Sequence, residues 1–123
     1  MADHPNATLV REAFRAATQG DPDATRYLAD GIEWHEIGRS DPIVGKEAVL
    51  AHLSRPTEWS IQPVLHDAVA GDDHAVALII ARARRGGETL EYRVAEIYDV
   101  LDGKVSKRWA FSDDTERIAA FFA

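Results

Sequence analysis

Six side chains in this sequence are of types that could move a proton or hold a small molecule: His35, Asp113, Arg93, Trp109, Tyr27 and Phe14. A free imidazole has a pKa of about 6.5, so His35 can take or give a proton near neutral pH. It ends the run Ile32-Glu33-Trp34-His35. Read as a strand, that run puts Ile32 and Trp34 on one face and Glu33 and His35 on the other. The competing role for His35 is to hydrogen-bond a backbone carbonyl or face water. Asp113 is a second acid or base. Alternatively, Asp113 or Asp114 caps a final helix, with Glu116 close to capping-box spacing from Asp113. Arg93 inside a cavity binds a carboxylate or stabilises an enolate. Outside one it forms an exposed ion pair with Glu91 or Glu96. Trp109 offers a flat ring for stacking, or packs in a core or dimer. Tyr27 and Phe14 are candidate pocket-lining aromatics that read equally as core. Trp34 and Trp59 read as core or interface anchors, and Glu36 as a residue that follows its strand into solvent.

Other chemistries find no support. Residues 38–46 place six residues between two glycines and follow Lys46 with Glu47, which is not a phosphate loop. The five histidines show no metal-ligand spacing and there is no cysteine, so no metal and no cofactor are expected. Fourteen Lys and Arg against 21 Asp and Glu give a net charge of −7, which repels phosphate backbones and argues against nucleic acid as a partner. The longest apolar run, residues 75–83, is too short to span a bilayer. Residues 1–5 lack the basic and apolar regions of a signal peptide. With no cysteine, a cytoplasmic location is expected.

These side chains must be positioned by one domain, residues 1–123, with 46 % hydrophobic residues and no repeat or linker. The spacing of Val10, Ala13, Phe14 and Ala17 predicts a helix over 5–19. Asp21-Pro22-Asp23 predicts a second, short helix that buries Tyr27 and Leu28. Residues 32–37 read as a strand, 38–45 as a loop, and 46–54 as a third helix with Val49, Leu50 and Leu53 on one face. A meander follows over 60–70, 73–84, 89–101 and 104–112, with Asp102-Gly103 as its clearest hairpin turn. A short helix closes the chain. Strands grouped after helices predict an α+β fold. Residues 75–83 are apolar on both faces of their strand, so both faces need cover. Helices supply one side, and a second subunit is the simplest cover for the other.

Five segments carry a resemblance: FRAATQGD (14–21), WHEIG (34–38), PIVGKEAVL (42–50), DGKV (102–105) and WAFSDD (109–114). In their order and spacing the chain resembles the SnoaL-like and ketosteroid-isomerase-like branch of the nuclear transport factor two superfamily. The resemblance implies a cone-shaped, curved mixed or antiparallel sheet. Three N-terminal helices wrap it around an apolar pocket, a short C-terminal helix follows, and a homodimer forms. It places His35 where ketosteroid isomerases carry their carboxylate base, and Asp113 near the pocket mouth. The isomerases' oxyanion donors fall on Ala13 or Phe14 and on Ala95, none of which can donate. If Ala95 faces the pocket, Arg93 and Ile97 do too. A slip of one residue would exchange Arg93 for Tyr92 and Glu96. The expected function is cofactor-free isomerisation or cyclisation of a hydrophobic cyclic ketone or polyketide-like molecule. The alternatives are a binding protein for a small apolar ligand and a dimeric scaffold.

Overall fold

The structure is a computed structural model that describes residues 3–123. Helix α1 spans Pro5–Thr18, and Ala7, Val10 and Ala16 are its buried residues. The His4 ring accepts a hydrogen bond from the Asn6 amide, and Pro5 opens the helix, where its missing N–H costs nothing. In place of the second helix expected after Asp21 there is a single 3-10 turn, Ala24–Tyr27. Strand β1 then runs Leu28–His35, four residues earlier at its start than alternation suggested. The loop that follows contributes a two-residue strand, β2, Ile43–Val44. Helix α2, Lys46–Ser54, buries Val49 but leaves Leu50 and Leu53 exposed, so the expected three-residue apolar face contracts to one residue.

The meander is β3 (Trp59–Ala70), β4 (His74–Arg85), β5 (Glu88–Leu101) and β6 (Lys104–Ser112), and α3 (Thr115–Phe122) ends the chain. The result is an α+β fold with one mixed six-stranded sheet in the order β2-β1-β6-β5-β4-β3. Only β1 and β6 are parallel. The Asp102-Gly103 turn has positive φ at both residues, 52° and 73°, as a tight two-residue hairpin requires. Gly38 also has positive φ, and a Cβ there would lie 2.9 Å from the Thr115 side chain. A glycine therefore lets the end of β1 pass under the start of α3.

Register fixes which residues share a face. On β4, Ala75, Ala77, Ile79, Ala81 and Ala83 are buried. Their partners on β5 include Tyr98, Glu96, Val94, Tyr92 and Leu90. Helix α1 packs over β3 and β4, α2 over β1, and α3 over β5. The small alanines let α1 approach the sheet closely. The opposite face has no helix over its centre. Trp109, Ile97, Val76 and Val69 run across it in one row, with Phe111, Ala95 and Leu78 in the next. Val69, Leu78 and Phe111 there are between 40 % and 54 % exposed.

The core centres on Ile32, Val10, Val49 and Val105, all almost fully buried. Ile32 joins β1 to α2. Its replacement by alanine is expected to cost about 2–5 kcal/mol, read as a lower urea midpoint at unchanged slope.

Candidate functional site

The helix-covered face carries an unusual set of polar side chains among its apolar neighbours. Leu90, Tyr92, Val94, Glu96, Tyr98 and Val100 alternate on β5, and Glu96 is the one charged member of the row. Opposite Tyr98 on β6 stands Arg108, and opposite Arg108 on β1 stands Trp34. The three face the same interior.

Arg108 is the hub. Its side chain is only 9 % exposed and its guanidinium forks onto the Glu96 carboxylate, with Nε at 2.9 Å from Oε2 and Nη2 closer still. Nη1 donates to the His35 carbonyl at 3.0 Å and lies 3.8 Å from Glu36 Oε2. The guanidinium carbon sits 4.1 Å over the Trp34 ring, a cation–π contact. Burial by itself lowers the Arg108 pKa. The charges of Glu96, Glu36 and Tyr98 outweigh it, so the net direction is upward and the cation is permanent.

Each carboxylate has its own donors. Tyr98 donates to Glu96 Oε1. Burial, then the Glu96 charge, hold the Tyr98 phenol well above its usual pKa, so it remains a donor. Glu36 Oε1 accepts from Trp34 Nε1 at 3.1 Å and pairs with His52 Nε2 at 2.6 Å. Glu36 Oε2 accepts no hydrogen bond among the described residues; the Arg108 guanidinium at 3.8 Å is its charged neighbour. Tyr92 is 7 % exposed; its hydroxyl makes no hydrogen bond among the described residues, where no buried side-chain oxygen is left unpaired, so that oxygen reaches solvent. Burial, then the charges of Glu36 and Glu96, raise its pKa, which also keeps it a neutral donor. This face thus offers one carboxylate oxygen and one phenol without hydrogen-bond partners, near a cation that donates three hydrogen bonds, two to Glu96 and one to the His35 carbonyl.

Of the residues singled out by sequence, His35 touches this cluster through its carbonyl, which accepts from Arg108. His35 and Trp109 come together, but on the opposite face of the sheet: their rings stack at 5.3 Å with 14° between planes. They border a cleft of about 280 Å³ that Glu36 also lines, with Phe111, Gly38 and Arg39. Arg93 is exposed on that same open face, two positions from Ala95. Asp113 is exposed and accepts from the Arg93 backbone amide at 3.2 Å. The helix cap is Asp114, whose carboxylate accepts from the Arg117 amide at 3.1 Å. Tyr27 is half-buried in the 3-10 turn, with its hydroxyl 2.8 Å from Arg26 Nη2 and the guanidinium carbon 4.4 Å from its ring centre. Phe14 packs against the core. Glu36 does not follow β1 into solvent; it turns back over α2. The one-residue slip brings Tyr92 and Glu96 under the helices instead of Arg93.

Sequence reasoning passed over Arg108, Tyr98 and the role of Glu36. A signal for part of this exists: a lone glutamate inside the alternating row from Leu90 to Val100 marks a charge that must be paired. Nothing comparable marks Arg108, because the register shift between Asp99 and Val100 breaks the alternation on β6.

With this geometry in place, comparison with known proteins gives the class. The profile of the SnoaL-like domain matches residues 10–108, and the chain belongs to that family. In particular, an uncharacterized protein of Mycobacterium tuberculosis is 26 % identical over the full length of both chains. The solved structure of Bal32a, from a soil-derived mobile gene cassette, superposes with a TM-score of 0.87 at 25 % identity and covers 97 % of each chain. An LEH-like epoxide hydrolase of M. tuberculosis superposes at 0.77 with 17 % identity, covering 96 % of this chain and 91 % of its own. The last is a likeness of fold. Among the described residues no helix is long and apolar enough to cross a membrane.

Two outcomes test this electrostatic frame. Arg108→Leu leaves two facing carboxylates without their shared cation and is expected to cost about 3–5 kcal/mol in chemical unfolding. Tyr98 keeps its proton to higher pH in the folded chain than in the unfolded one, where the value is the ordinary 10.0. Its contribution is therefore full below that pH and is lost as pH rises above it. Tyr98→Phe is expected to flatten the alkaline fall in stability, leaving the smaller share of Tyr92.

Proposed function

We propose that this chain is a cofactor-independent acid–base enzyme that shifts a proton, by isomerisation or ring closure, on a small, largely apolar carbonyl compound. The observation that carries the reading is a carboxylate oxygen that accepts no hydrogen bond, Glu36 Oε2, together with a phenol on the helix-covered face, Tyr92, whose pKa is raised by burial and then by the Glu36 charge. Glu36 is the base. It removes a proton from the carbon beside the carbonyl, and the electron pair moves onto the carbonyl oxygen. Tyr92 donates a hydrogen bond to that oxygen as its charge grows, the contribution expected of a preorganised donor. Glu36 then returns the proton at the new position, or the enolate carbon attacks a second carbonyl of the same molecule, whose C=O π bond opens and whose oxygen takes the proton from Glu36. Arg108, Glu96 and Tyr98 hold the frame. In this reading the base is the residue after His35, on the helix side of the sheet. The phenol supplies the donor that Ala13, Phe14 and Ala95 do not.

A second copy of the chain covers the open sheet face. The reading rests on the exposed apolar rows through Leu78 and Phe111, flanked by Glu33, Lys107 and Asp99 at one end and Arg82 and Glu91 at the other. An apolar centre with a mixed-charge rim suits a self-complementary contact. Light scattering is expected to give a dimer, and Leu78→Asp a monomer with its fold intact. A monomeric wild type would remove the contact.

The enzymatic reading is tested without knowing the substrate. The protein is incubated in D2O with a panel of cyclic ketones, and loss of the proton beside the carbonyl is followed by NMR. Wild type is expected to accelerate exchange of at least one compound. Glu36→Gln should lower that rate by about 100-fold or more, and Tyr92→Phe by about 100-fold. Exchange at the wild-type rate in Glu36→Gln would sink the assignment. Saturable binding with no exchange in wild type would make the chain a binding protein.

A further inference from the structure

The end of α2 carries a chain of contacts that the proposed reaction does not by itself require. Pro56 holds Arg55 in extended backbone, φ −65° and ψ 145°, so the helix stops there. The Arg55 side chain folds back over the last turn. Its Nη1 donates to the His52 carbonyl and lies 3.0 Å from His52 Nδ1. A guanidinium has only donors, so Nδ1 must be the bare, accepting nitrogen. The single ring proton of a neutral imidazole is then on Nε2, which is 2.6 Å from Glu36 Oε1. The groups facing His52 are thus Arg55 from its own helix end, Glu36 after β1, and beyond Glu36 the Trp34 indole and Arg108.

We propose that Arg55 is a positioning residue that fixes His52 in the Nε2–H tautomer, so that a neutral imidazole orients the Glu36 carboxylate and leaves Oε2 as its reactive oxygen. Were Nδ1 protonated as well, an imidazolium would face Glu36, and a full positive charge would weaken it as a base. Arg55 occupies the Nδ1 lone pair that such a proton would need. The inference rests on Glu36 as the base, but its first readout does not.

The test is a long-range proton–nitrogen correlation spectrum of the full chain labelled with 15N-histidine at pH 7, with His52→Gln identifying the His52 signals. Wild type is expected to show a protonated Nε2 and a bare Nδ1. Arg55→Ala should shift the Nδ1 signal toward the protonated form, and Arg55→Lys, which keeps a donor, should restore part of it. In the exchange assay Arg55→Ala should lower the rate about 10-fold, the lower end for an orienting partner. A protonated Nδ1 in wild type, or an unchanged spectrum in Arg55→Ala, overturns the proposal. If the spectrum changes but exchange does not, the positioning role falls while the base assignment stands. If Glu36→Gln exchanges at the wild-type rate, the base assignment falls, and this proposal with it.

Discussion

The structure turns on one buried cation. Arg108 sits beneath the helices, where an isolated guanidinium would be strongly disfavoured. It is tolerated because Glu96 is opposed by a fork, Trp34 lies flat against it, and the His35 carbonyl takes a further N–H. Those partners come from two strands, Glu96 from β5 and Trp34 and His35 from β1. The pairing of β1 with β6 and of β6 with β5 must therefore be in register for the charge to be satisfied. A slip of one residue would expose Arg108 on the open face and bury Lys107 or Trp109 in its place. The polar cluster specifies the register as well as the chemistry.

Around that cation the two carboxylates are treated unequally. Glu96 is 13 % exposed and fully engaged by Arg108 and Tyr98. Glu36 is 30 % exposed, hydrogen-bonded through one oxygen only, and sits at the end of β1 where the chain leaves the sheet. The same residue type thus acts as a structural counter-ion in one place and keeps an oxygen without a hydrogen bond in the other. The difference comes from how many donors the fold aims at each. Tyr92 and Tyr98 divide in the same way: Tyr98 spends its proton on Glu96, and Tyr92 keeps its own free.

The two sheet faces divide the remaining roles. One is closed by α1, α2 and α3 and contains the polar cluster. The other carries the His35–Trp109 stack, Arg93 and the apolar rows. Helix α3 reaches the closed face through Ile118 and through Phe122, which meets Trp59 and Tyr92 edge-on. That contact orients the ring whose hydroxyl remains free.

Much of the fold was legible from residues alone. The helix over α1, the four strands of the meander, the Asp102-Gly103 turn and the short last helix follow from local signals: helical spacing, strand alternation and the two-residue turn that demands positive φ. The family was legible too, since five short segments keep their order. Local sequence could not say which face of β5 lies under the helices. Arg93 and Glu96 each fit a strand equally well, and only the pairing of β5 with β4 and β6 chooses between them. Nor could it bring Glu36 to His52 or Arg108 to Glu96, because those contacts join residues distant in the chain through a parallel strand pair and an irregular β6. Periodicity carries alternation within one strand, whereas the register between strands is set by burial of the whole sheet, and register decides which side chains share the helix-covered face.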